Sequence, residues 1–393
     1  MRKLKNTGIG IIIFLVVQHV LLWSTGNLHF YNMLADTVFK GRLGPSILDH
    51  ENYPNRTIET GIYQPWALAD KYNKINIPNG LRENIESIKP AAFVVVHKNE
   101  LLYEEYWDSF SDSSLSNSWS MAKSYISMLI GVAIKEGHIK SIDDKVGEYL
   151  SGYNEELDKN LTIKHLLTMT SGIDFGEQYM NPFGFMAKAL YGDDVKDIAQ
   201  EHHVEYSPGT KWHYQGGNNL LLGILLREAT GKTPAEYFSE KIWKLFGAQY
   251  DALWSLDKED GYEKAYCCVF SNAKDFARVG QLMLQKGNWN GQQILDSNYV
   301  VNGAKPINLP DRFGENTDHY GYAWWLMNYK GNDIFYARGI SGQYTIIIPE
   351  KELVIVRLGH KRIKEKGDKH PKDVYFYIDA ALNMEARINP AGC

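Results

Sequence analysis

Cysteine is scarce in this chain: 393 residues hold three, Cys267, Cys268 and Cys393. An odd count with two of them adjacent offers neither a disulfide framework nor a metal-knuckle spacing, and it leaves the redox compartment open. The 12 histidines include the neighbours His202 and His203 but no H-E-x-x-H or comparable ligand pair, so neither a metal nor any other cofactor is expected. A surplus of base is missing too. Lysine and arginine total 42 against 47 acidic residues, a net charge of -5, and no long run of either base occurs. Nucleic acid is therefore not an expected partner. No internal repeat is visible.

What the chain does have is apolar residue, 44% of the total, enough for a sizeable core. Its length suits two domains or one large domain with an insertion. Residues 1–7 carry Arg2, Lys3 and Lys5, and residues 8–23 are apolar apart from Gln18 and His19. That is the shape of an export signal. The run is short against the roughly 20 residues of a membrane span, yet no small-x-small cleavage site follows it at 23–27. We read residues 1–26 as an uncleaved membrane anchor in preference to a removed signal peptide. The basic start stays in the cytoplasm, which places the rest of the chain on the extracytoplasmic (periplasmic) side.

The most informative stretch is Ser120-Met121-Ala122-Lys123-Ser124, which opens an apolar run at 125–134. That run is apolar on nearly every side, as in a helix buried all round. Ser120 and Lys123 are three residues apart and so share one helix face. A serine hydroxyl is a weak nucleophile until a neighbouring base takes its proton, and burial makes a lysine such a base. The positive end of the helix dipole favours the charge developing at Ser120. The S-x-x-K spacing recurs at Ser255/Lys258 and Ser271/Lys274, but neither of those opens an apolar helix.

Elsewhere, residues 27–89 are mixed, with Pro45, Pro54, Pro65 and Pro78, and read as a lead-in without periodicity. Residues 91–96 and 101–107 are β-rich and flank His97-Lys98-Asn99-Glu100, a hairpin signal. Helical patterns come next at 162–170, 219–229, 234–245 and 274–286. The period then changes: 334–338, 343–348 and 353–358 are β-rich, and 374–386 is helical again. Strands at both ends with helices between define an α+β fold, an antiparallel sheet formed by both chain ends with an inserted helical region, over residues 90–390.

Four stretches in this order carry a resemblance: Ser118-Trp119-Ser120-Met121-Ala122-Lys123-Ser124, the segment 161–172 ending Thr170-Ser171-Gly172, Pro208-Gly209-Thr210 followed by Tyr214, and Gly339-Ile340-Ser341-Gly342-Gln343. Together they resemble the penicillin-recognising serine hydrolases, which share the β-lactamase/DD-peptidase-like fold. The Gly-Ile-x-Gly-Gln form and Glu177-Gln178-Tyr179 look most like the aminohexanoate-dimer hydrolase branch. The resemblance implies Ser120 as nucleophile, Lys123 as its base and Tyr214 as proton relay. It implies an oxyanion hole from the backbone N–H groups of Ser120 and Ile340, with Gly339 and Tyr179 binding substrate.

Two family positions depart from the pattern. Gly216 stands where an asparagine is usual, and Ala337 where a lysine or histidine would face a substrate carboxylate. Arg338, pointing to the opposite face of a strand, is not expected to replace that cation. Tyr322, Trp324 and Trp325 are candidates for an apolar cleft wall, although tryptophan pairs are more often core. The chain is thus expected to be a serine hydrolase cleaving a small amide or ester through an acyl-enzyme. The rival reading is a non-catalytic penicillin-binding-like or cell-envelope binding protein on the same fold.

Overall fold

The computed structural model describes residues 2–365 and 367–388; Cys393 and the domain end expected at 390 lie outside them. Its main sheet has seven strands, in the order Trp325–Tyr329, Asn332–Gly339, Gln343–Ile348, Leu353–Gly359, Pro90–His97, Glu100–Tyr106 and Ala67–Leu68. Leu353–Gly359 pairs antiparallel with Pro90–His97, Val354 opposite Val96, so the two ends of the chain do close one sheet. One pairing departs from the antiparallel expectation: the edge strand Ala67–Leu68 runs parallel to Glu100 and Leu101.

The strands read as unbroken apolar runs because both faces are covered. Val94 and Val96 join the cluster around the central helix, while Phe93 and Val95 join the cluster under the C-terminal helix Lys372–Ile388. The helix Ala273–Leu284 crosses the first face. It does so at close range because of Gly280, where a Cβ would lie 2.5 Å from Val354 Cγ1.

The central helix spans Ala122–Lys135 and is buried at every position from Ala122 to Ala133. Ser120 lies just ahead of it in the 3-10 turn Trp119–Met121, a common way for a helix to begin. Beside it runs Gly217–Thr230, with Asn219 Nδ2 donating to the Lys123 carbonyl at 3.4 Å.

Residues 27–89 supply a helix, His29–Asp36, and the strand Asn55–Ile58, which pairs with Ala252–Ser255 in a second sheet of four strands. The last strand of that sheet, Ser116–Asn117, leads into the turn that carries Ser120. Strands this short leave no periodic signal.

The cysteine reading needs correction, since Cys267 and Cys268 are bonded to each other. A ring closed between neighbours escapes any reading built on loop spacing.

The N-terminal helix Arg2–Ser24 contains an 18-residue apolar window, Thr7–Ser24, of mean hydropathy 1.9, exposed along nearly all its length with Leu22 buried near its end. It is the one helix among the described residues long and apolar enough to cross a membrane, a test that a signal sequence passes equally. The next helix, His29–Asp36, is fastened to the domain. Phe30 stacks on Phe183 at 5.2 Å, and His29 Nε2 lies 2.9 Å from the Pro182 carbonyl.

Candidate active site

Three elements meet at Ser120. The turn carrying it is held by Ser118, whose N–H donates to the Val269 carbonyl at 2.7 Å and whose Oγ accepts from Val269 N–H at 3.1 Å. Trp119 takes φ +46°, a left-handed conformation that a tryptophan holds only where its surroundings impose it. The strand Asn332–Gly339 presses against this turn. A Cβ on Gly339 would lie 2.4 Å from the Ser118 carbonyl oxygen and 3.0 Å from Trp119 Cβ, so glycine is needed for the approach that brings Ile340 to the serine.

Lys123 is 1% exposed. Its Nζ donates to Ser120 Oγ at 3.1 Å and to the Tyr266 carbonyl at 2.8 Å. The same nitrogen lies 5.2 Å from the centre of the Tyr214 ring and 5.5 Å from that of Tyr266. The serine and lysine are thus paired by geometry. The other two S-x-x-K matches are engaged elsewhere: Ser255 Oγ donates to Asn55 at 2.9 Å, and Lys274 pairs with Asp112 at 2.9 Å.

Ser120 opens onto a cleft of about 520 Å³. Of the residues singled out in the sequence, Tyr179, Tyr214 and Ile340 line it with Ser120. Gly339 does not; its place is the contact between strand and turn. The Tyr214 hydroxyl makes no hydrogen bond among the described residues, and its ring packs against Trp325 at 5.2 Å and Tyr320 at 5.9 Å. Trp325 lines the cleft as the sequence allowed, whereas Trp324 is buried against Phe335 and Tyr322 packs on Tyr299. Trp212, Arg362 and Lys364 also line the cleft and were not picked out in the sequence. No local pattern marks them, since each arrives from a segment without periodicity.

Glu177 explains the glycine at 216. Its Oε1 accepts the Gly217 N–H at 2.8 Å, and a Cβ on Gly216 would lie 3.2 Å from that same oxygen and 3.1 Å from Tyr266 Cβ. The carboxyl fills the space an asparagine side chain would need. Burial pushes it up to about 7, against the opposing pull of Lys123 and of the Gly217 and Gly216 N–H groups.

The expectation for Arg338 is overturned. Residues 337 and 338 do alternate, but Ala337 turns into the core and Arg338 into the cleft. The strand therefore presents a cation to the site from the position after the family's usual one.

Among the described residues no group of three His, Cys, Asp or Glu side chains is placed to hold a metal ion. The sheet closed by both chain ends, the inserted helices and the buried helix opening on a serine–lysine pair define a β-lactamase/DD-peptidase-like α+β protein. The Beta-lactamase family model matches residues 81–376, and the chain belongs to that family.

Among curated proteins it is 26% identical to the 6-aminohexanoate-dimer hydrolase of Paenarthrobacter ureafaciens, covering 71% of this chain and 74% of that one. Among solved structures it superposes on a Bacillus anthracis protein provisionally named a 6-aminohexanoate-dimer hydrolase, with TM-score 0.74, 22% identity and coverage of 88% and 94%. A penicillin-binding protein from Bacillus halodurans matches with TM-score 0.59, 16% identity and coverage of 78% and 100%.

Proposed function

We propose that the protein is a serine hydrolase that cleaves a small amide or ester through an acyl-enzyme on Ser120. The observation that carries this reading is the 3.1 Å contact between Lys123 Nζ and Ser120 Oγ at the floor of an open cleft. Lys123 takes the hydroxyl proton as Ser120 attacks the substrate carbonyl. The backbone N–H groups of Ser120 and Ile340 stabilise the oxyanion. Tyr214 passes the proton to the leaving group, and water then releases the acyl group by the same route. The hydrolase names among the relatives support this reading, the Paenarthrobacter enzyme being named for an amide dimer.

Residues 1–26 act in it as an uncleaved anchor, with the domain from 90 to 390 and its lead-in on the extracytoplasmic side. The apolar Thr7–Ser24 window supports this part. N-terminal sequencing of the mature protein is expected to start at or near Met1, and a start at residues 24–30 would replace the anchor by a removed signal peptide.

Intact-mass analysis after incubation with a serine-directed acylating probe tests the chemistry. One adduct is expected, on Ser120. Labelling that persists in Ser120→Ala refutes the assignment, and a folded protein that takes no label favours the binding-protein reading.

A further inference from the structure

The lining of the cleft that Ser120 opens onto includes three cations, Arg338, Arg362 and Lys364. None of them forms an ion pair among the described residues, and the neighbouring carboxylates are engaged by other groups. Asp373 accepts from the Tyr344 hydroxyl at 2.9 Å and from Ile363 N–H at 2.7 Å. Asp368 accepts from Glu365 N–H at 3.0 Å, and Asp318 pairs with Lys369 at 2.8 Å.

Like charges collected in one cleft without an ion pair repel one another, so their convergence suits a ligand of the opposite sign. The wall is also held in place. Arg338 lies over the Trp325 ring at 3.1 Å, and its Nη1 donates to the Lys369 carbonyl at 3.0 Å, which fixes the guanidinium plane. Arg357 donates to the Ser341 carbonyl at 2.7 Å and to the Lys361 carbonyl at 2.7 Å. It thereby ties the turn after Ile340 to the segment bearing Arg362 and Lys364. Neighbouring groups register the field: His370 is held down to about 3, by burial first and by Arg338 next.

We propose that this wall is a subsite for a doubly charged oxyanion, a phosphate monoester or a pair of carboxylates, borne by the acyl substrate of Ser120. The proposal rests on the serine-hydrolase reading. One carboxylate is satisfied by a single guanidinium fork, so three unpaired cations leave room for a second negative charge. The anion seats on Arg338, Arg362 and Lys364 while the scissile carbonyl lies over Ser120 Oγ.

The test uses three 4-nitrophenyl esters of similar length on the full chain: butyrate (neutral), hemisuccinate (one charge) and 4-phosphonobutyrate (two charges at pH 8). The kcat/KM should rise in that order, with the phosphonate about tenfold or more above the butyrate at low salt. That ratio should shrink in 0.5 M NaCl. It should fall several-fold in Arg362→Gln and in Lys364→Gln, and recover in part in Arg362→Lys and Lys364→Arg. Calorimetric titration of free 4-phosphonobutyrate against butyrate reads the subsite without turnover. Equal turnover of the three esters together with no preferential binding of the phosphonate overturns the proposal. If no ester is cleaved and Ser120 takes no probe while the phosphonate still binds, the hydrolase reading has failed and the subsite stands.

Discussion

The two walls of the cleft are built on opposite principles. On the floor, Lys123 is buried, its Nζ shared between Ser120 Oγ at 3.1 Å and the Tyr266 carbonyl at 2.8 Å. Elsewhere in the cleft lining, Arg338, Arg362 and Lys364 converge without an ion pair among the described residues, the nearby Asp368 and Asp373 accepting from other groups. The first wall is organised before any substrate arrives, which is what a reacting group needs, because reorganisation at the moment of reaction raises the barrier. The second is left electrostatically incomplete, which is what a binding group needs, because an internal partner would compete with the ligand. Substitutions of the reacting groups should therefore act on rate whatever the substrate charge, and substitutions of the three cations on selectivity.

The largest effect is expected at Ser120. Ser120→Ala should reduce turnover of every ester by at least about a thousandfold, whatever its charge, as measured by single-turnover release of nitrophenol. Next comes Lys123→Met, which keeps the bulk and removes the base, with a loss of about 10²- to 10⁴-fold in the acylation rate. Both losses should be blind to substrate charge. A loss at Lys123 confined to anionic esters would merge the two walls into one binding site and break the contrast.

The floor was legible in the sequence because its pieces are local. Ser120 and Lys123 are one turn apart, and the apolar run behind them announces the buried helix that makes Lys123 1% exposed. The sheet was legible for the same reason, each strand being a dense apolar run. The opposite wall was not. Arg338 was judged by strand alternation alone, which is correct as far as it goes, but the direction in which the odd and even faces point is decided by tertiary packing. Arg362 and Lys364 lie in a segment without periodicity, and contacts distant in sequence place it over the cleft, Arg357 donating to the Lys361 carbonyl and Asp373 accepting from Ile363 N–H. The close-approach role of Gly339 was invisible as well, since what it avoids is the backbone of Ser118, 221 positions away by their numbers (339 − 118).

A test within the floor sits next in size. Gly216→Asn restores the family's residue but sets a Cβ 3.2 Å from Glu177 Oε1 and 3.1 Å from Tyr266 Cβ. We expect overpacking that costs about 1–3 kcal/mol in denaturant unfolding, and relief of most of that cost in Gly216→Asn combined with Glu177→Ala.

Glu177→Gln is smaller and separates charge from shape. With its carboxyl pushed up to about 7, the folded protein binds a proton there that the unfolded chain has lost above the ordinary carboxylate range. The Glu177 contribution to stability is therefore fully present at low pH and declines as pH rises from about 4.5 to 7. The variant keeps an oxygen for the Gly217 N–H and lacks this dependence, so the difference in melting temperature, variant minus wild type, should grow across that window and level off above it. A difference that stays flat from pH 5 to 8 would show that the carboxyl is charged throughout.

The smallest effect should appear opposite the nucleophile, and it has the reverse sign to an ordinary loss of contact. Lys364 is held down to about 8, by burial first and by Arg338 and Arg362 next, an effect that the exposure of its side chain to water weakens. Removing its charge at pH 7 relieves repulsion, so Lys364→Gln should melt slightly above wild type, by about a degree in a chain of this size. The sign with pH comes from the lowered value. Between about 8 and the ordinary lysine range the unfolded chain carries the proton and the folded protein does not, so wild-type stability rises with pH there and the advantage of the variant should fade. A phosphonate ligand supplies the counter-charge from outside. In saturating 4-phosphonobutyrate the order should invert, wild type melting above Lys364→Gln, because the lysine then gains a partner that glutamine cannot match. A variant that melts below wild type both with and without the ligand would mean that Lys364 is already paired in the free protein, and the contrast between the two walls would be lost.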